Sequence, residues 1–160
     1  MENSNRFAVS IGVLMNKKQN NIIEPKIRYE TRKAIDELAK DLNLPNEPWM
    51  QDWPYEVVNR DNIEKYLKYY NTTEDEDKKF ILMEMLIQST EEQPNEEKFL
   101  YYWNIIKYLI EDDFFIHEYT VWYWCLLEEI YEGHYEDHME DAWNITPFLR
   151  ELWHKIKNIQ

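Results

Sequence analysis

Three stretches of this chain leave a helix almost no polar surface to show to water. Between Phe80 and Ile87 only Glu84 is polar, "FLYYWNII" from Phe99 carries one asparagine, and "YTVWYWCLL" from Tyr119 carries no charge. Helices of that kind bury most of their circumference, so each needs the others as neighbours. The expected fold is therefore mainly all-α: a single-domain bundle of about six helices over residues 1–160, with Phe80–Gln88, Phe99–Ile110 and Tyr119–Leu127 as its core. A chain of 160 residues with seven tryptophans and twelve tyrosines can bury such a core despite its 31% charged residues.

The remaining elements follow from spacing and caps. Ile27, Ala34, Ile35, Leu38 and Leu42 fall at helical intervals, which predicts an amphipathic helix over Arg28–Leu42. The segment 45–59 holds three of the six prolines, so an ordered loop pinned by Trp49 and Trp53 is expected. A short helix follows over Asn62–Tyr70. Thr73 with Glu76 reads as a capping box for the next, along which Asp77, Glu84, Gln88 and Glu91 form a thin polar stripe carrying Glu84 to solvent. Asn95 reads as the cap of a helix with the polar stripe Glu97, Asn104, Lys107 and Glu111. Gly133 reads as a helix stop, and Thr146 and Pro147 as the start of the last helix. Phe7–Met15 alternates large and small residues, which suits a short extended segment and, nearly as well, a helical turn.

Several function classes are disfavoured. The two glycines, Gly12 and Gly133, cannot build a phosphate-cradling loop. One cysteine, Cys125, fits a reducing compartment, and Phe7–Met15 lacks the flanks of a signal peptide. The other uncharged runs are about half of what a bilayer span requires. A cytoplasmic protein without cofactor is expected.

The charge, −14 overall, is uneven. Residues 1–72 hold eleven acidic and eleven basic side chains; residues 73–160 hold twenty-one acidic and seven basic. Between Lys107 and Arg150 there is no cation, against eleven carboxylates. Such a field repels nucleic acid and attracts a basic protein.

Its densest part is "HYEDHMED", His134–Asp141. On a helix His134, Asp137 and His138 share a face that could offer ligands to a transition metal, with His117 as a further donor. The H-E-x-x-H pattern is absent, because Tyr135 stands where its glutamate belongs. A solvated acidic face explains the same spacing. Glu128, Glu129 and Glu132 sit in a last helical turn, where the dipole disfavours carboxylates, and Glu136, Asp137, Glu140 and Asp141 add mutual repulsion. Residues that oppose local stability point to use, and Tyr131, Tyr135 and Trp143 supply flat anchors of the kind interfaces favour. Cys125, His117 and His154 read as structural, and no catalytic residue is assigned.

The expectation from sequence is thus a non-enzymatic binder of a basic protein, of the immunity or antitoxin kind that blocks a bacterial nuclease-like toxin. The ten residues Glu128, Glu129, Tyr131, Glu132, Tyr135, Glu136, Asp137, Glu140, Asp141 and Trp143 form its contact surface. A DNA-mimic inhibitor and a metal-dependent enzyme built on His134, Asp137 and His138 are the alternatives.

Overall fold

The computed structural model describes residues 23–125 and 142–159. Among them the protein is all-α. Seven α-helices run in order: α1 Arg32–Leu42, α2 Trp53–Val57, α3 Ile63–Thr72, α4 Glu76–Glu91, α5 Glu96–Asp112, α6 Phe114–Trp124 and α7 Thr146–Ile159. A 3₁₀ turn, Arg60–Asn62, leads into α3. No strand occurs among the described residues, and no helix there is long and apolar enough to cross a membrane. The chain groups into two compact units. One is Ile27–Glu118, and the other includes the described residues 23–26, 119–125 and 142–159.

In the first unit α4 is the centre, packed against α1, α2, α3 and α5. Every residue from Phe80 to Ile87 is buried, which is what a helix with apolar side chains on all sides requires. Glu84 is buried with them at 7% exposure, so the expectation that it reaches solvent is wrong. Neighbours on every side of α4 leave no stripe open at its middle.

Local chemistry corrects other boundaries. Helix α1 starts at Arg32 rather than Arg28, because the Thr31 side chain accepts from Ala34 N at 3.3 Å and closes the first turn. Asn43 ends α1 in the left-handed region at φ 53°, a conformation asparagine tolerates. The 45–59 segment is pinned by one tryptophan, not two. Trp53 is buried and donates from Nε1 to Pro45 O at 2.7 Å, whereas Trp49 is 70% exposed. Pro54 sits in the first turn of α2, where its missing N–H costs nothing, so proline starts a helix in a stretch expected to be irregular. Asp75, not Thr73, caps α4, accepting from Lys78 N at 3.0 Å. Asn95 caps α5 as expected, accepting from Lys98 N at 2.9 Å.

In the second unit α7 is tied to the end of α6. Thr146 Oγ1 donates to Trp124 O at 2.8 Å, and Arg150 Nε donates to Cys125 O at 2.7 Å. These satisfy carbonyls left open where the α6 ladder stops. Thr146 therefore donates its hydroxyl hydrogen to the neighbouring helix end. Trp122, Trp124, Leu149, Leu152 and Trp153 are buried around these bonds. The Phe7–Met15 segment and the Gly133 stop lie outside the described residues.

Candidate functional site

Nine of the ten expected contact residues, Glu128 to Asp141, lie outside the described residues, as do the metal candidates His134, Asp137 and His138. The tenth, Trp143, lies within them. Its ring centroid is 4.4 Å from that of Trp124 and 5.9 Å from that of Tyr123. Trp143 thus packs against the end of α6 in an aromatic cluster.

Within the described residues, the most distinctive surface is the outward face of α5. Its inward face is Phe99, Trp103, Ile106 and Ile110, all buried in the first unit. At 3.6 residues per turn, the opposite stripe is Glu97, Tyr101, Ile105, Tyr108 and Asp112. Tyr101 is 59% and Tyr108 57% exposed, Ile105 is partly covered, and a carboxylate is exposed at each end. The expected stripe of Glu97, Asn104, Lys107 and Glu111 is exposed or half-buried, and the open face extends beyond it to Tyr101, Tyr108 and Asp112. This corrects the view that α5 is buried on most sides.

The face is braced from beside. Tyr101 meets Tyr102 edge to face at 5.0 Å between centroids. Burial, then a hydrogen bond to Glu64 of α3, raises the Tyr102 phenol above its ordinary range, so it stays protonated. Lys107 Nζ lies 5.0 Å from the centre of the Tyr108 ring and donates to Asn104 Oδ1 at 2.9 Å. Tyrosines held this way present flat, partly polar area at small entropic cost.

A second assembly lies inside the same unit. Lys79 Nζ and Tyr70 Oη both donate to Asp113 Oδ2, each at 2.9 Å, and Tyr70 Oη lies 2.7 Å from His117 Nε2. A phenol has one proton to give. Burial pushes the Asp113 carboxyl upward, but the Lys79 ammonium and the Tyr70 hydroxyl together outweigh it and hold it below its ordinary value. Asp113 is therefore ionised and accepts the hydrogen bond that the Tyr70 hydroxyl donates. It follows that Nε2 of His117 carries a hydrogen and donates to Tyr70, leaving Nδ1 as a bare buried lone pair. Burial, aided by Arg28 and Lys79, lowers His117 to about 3, so the ring is neutral. His117 is thereby a structural member of this network, as its place in an apolar helix suggests.

Cys125 is buried, and burial pushes its thiol up, with Arg150 opposing. The sequence offered no nearer cation than Lys107; the fold brings Arg150. Two open hollows lie on the described surface. One, about 500 Å³, is lined by Val58, Asn59, Arg60 and Glu92; the other, about 450 Å³, lies between α1 and α3 around Asn43, Lys65 and Lys68. Among the described residues no group of three or more His, Cys, Asp or Glu side chains could hold a metal ion.

No family model, no curated protein and no solved structure matches this chain. Its site is therefore defined by its own residues.

The α5 face was missed at the sequence level, although its signal was present. Tyr101 and Tyr108 stand one heptad apart, on the side opposite Phe99, Trp103, Ile106 and Ile110. The Tyr70–His117 contact spans 47 positions, and nothing local in the sequence announces it.

Proposed function

We propose that the protein binds and blocks a basic protein partner in the cytoplasm, in the manner of an immunity protein or antitoxin acting on a nuclease-like toxin. The single observation that supports this reading most is the α5 face. It aligns two exposed tyrosines between two exposed carboxylates in the half of the chain that carries the whole net charge. Enzymes that act on nucleic acid carry cationic clefts, and an acidic face with rigid aromatic anchors complements one. The acidic tract Glu128–Asp141 contributes to the same attraction through its charge. Charge speeds the encounter, while the buried tyrosine area sets how long the complex lasts.

The test uses the full chain as bait in extracts of its own source cell, alongside Tyr101→Ala/Tyr108→Ala and Glu97→Lys/Asp112→Lys variants. Support is a single stoichiometric partner of basic isoelectric point that the parent protein retains and both variants lose. Retention by all three, or a partner that is neutral or acidic, overturns the reading.

A further inference from the structure

Trp49 is held in the open by an ordered segment. It is 70% exposed, on the loop 45–52 that leads from α1 to α2 within the first unit. The loop is tied at both ends. Asn46 accepts from Arg32 Nη2 at 3.0 Å and donates to Asp36 Oδ1 at 2.8 Å, and Trp53 Nε1 donates to Pro45 O. The backbone N–H groups of Gln51 and Asp52 both donate to Glu56 Oε1, at 2.9 and 3.0 Å. Between these ends Met50 N donates to Glu47 O at 3.1 Å, closing a turn with Pro48 at its second position and Trp49 at its third. Proline presets the backbone for that place in a turn. None of these bonds uses the Trp49 indole.

A loop built this way is ordered by folding, so a partner that takes up the indole does not have to order it, and tryptophan is the side chain that interfaces use most as an anchor. The charge beside it has one sign. Residues 45–59 contain Glu47, Asp52 and Glu56 and no Lys, Arg or His. Glu56 is engaged by the loop's own amides, whereas Glu47 and Asp52, two positions before Trp49 and three after it, are exposed. Arg32, which reaches the loop through Asn46, lies 2.9 Å from Asp36 and is neutralised there. An indole with carboxylates beside it in the chain suits a guanidinium, which stacks flat on the ring and donates to carboxylates in a fork. A lysine ammonium has neither the plane nor the fork. The same carboxylates oppose an anionic lipid surface and the phosphates of nucleic acid.

We propose that the 45–52 loop is a docking element additional to the α5 face, which seats Trp49 on an arginine side chain of a partner protein while Glu47 and Asp52 hold the guanidinium. The loop meets the partner already shaped, and its turn and its ties persist in the complex.

The experiment places a photoreactive residue in the full chain at position 49 and, as a control, at the exposed position 65 on α3, in the source cell. The crosslinked segment is sequenced, and the captured protein is purified and titrated against the parent and its variants. Position 49 should capture a protein through a segment that contains arginine, and position 65 should not. Trp49→Ala should weaken that binding at least about thirtyfold. Glu47→Gln with Asp52→Asn should weaken it about two- to fivefold, and lysine in place of the partner's arginine at least about threefold. Trp49 is exposed, so its variant should unfold at the parent's temperature, which separates a lost contact from a lost fold. Capture through a segment without arginine, no capture at position 49, or binding that Trp49→Ala leaves within about threefold of the parent each overturns the proposal. So does binding of phosphatidylserine vesicles that the parent shows and Trp49→Ala loses, which would make the loop a membrane anchor. Capture at positions 101 and 108 without capture at 49 removes this element and leaves the α5 reading in place.

Discussion

Helices α4 and α5 are neighbours in the chain, each introduced by an Asp or Asn cap and each rich in apolar residues, yet the fold treats them in opposite ways. α4 is enclosed on every side at its middle and takes even Glu84 inside. α5 buries one face and turns Tyr101 and Tyr108 outward. The difference teaches that apolar content fixes how much a helix could bury, while its place among neighbours fixes how much it does. A central helix has no choice about Glu84. A peripheral helix has no structural need for two exposed tyrosines, so they are free to serve a partner.

The largest expected effect lies on α4. Phe80 is buried and lies under the Arg28 guanidinium, and Phe80→Ala should cost about 3–5 kcal/mol in denaturant unfolding. A loss below about 1 kcal/mol would show that α4 is not the centre of the unit.

Acid comes next. His117 is neutral in the fold at about 3 against 6.5 for a free imidazole, so folding excludes a proton that the unfolded chain binds. Its contribution is complete above pH 6.5 and is lost as pH falls from there through about 3, by up to several kcal/mol at about 1.4 kcal/mol per pH unit. Unfolding of the parent and of His117→Gln across pH 7 to 4 checks this; the variant should lose markedly less over that range.

Glu84 responds in the other direction. Its raised carboxyl means that folding takes up a proton, so its contribution is complete below the unfolded value of 4.5 and is lost as pH rises through the folded value. Glu84→Gln should therefore stabilise the protein at pH 8 by about 1–3 kcal/mol and change little at pH 4. Equal effects at both pH values would show that the fold does not favour the protonated form of Glu84.

The contrast between the helices was half legible. Phe80–Ile87 reads as core from the sequence because no choice of face could hide its apolar side chains otherwise. The fate of Glu84 does not, because burial of one carboxyl depends on the helices packed around α4, α1 and α2 among them, which come from distant positions in the chain. In α5 the heptad spacing of the tyrosines was visible, but a Tyr reads as apolar or polar according to what covers it. Periodicity misplaces the start of α1 for a similar reason: Arg28 looks helical by spacing, whereas its guanidinium is held by Asp77, far along the chain. Thr73 lost the cap to Asp75, a nearer carboxylate in a run of acids, a competition that composition alone does not decide.

The smallest stability effect belongs to the outward face. Tyr101→Ser and Tyr108→Ser should each stay within about 0.5 kcal/mol of the parent in thermal unfolding, because neither side chain contributes to the core. A loss above about 2 kcal/mol from either would turn the α5 face into part of the scaffold.

The central claim is that this face meets a basic protein, and photo-crosslinking in the source cell tests it most directly. A photoreactive residue is placed at position 101, at position 108 and, as a control, at the exposed position 33 on α1. Positions 101 and 108 should both capture the same basic protein, with none at position 33. Capture of the same proteins from all three positions, or capture from position 33 alone, would contradict the account.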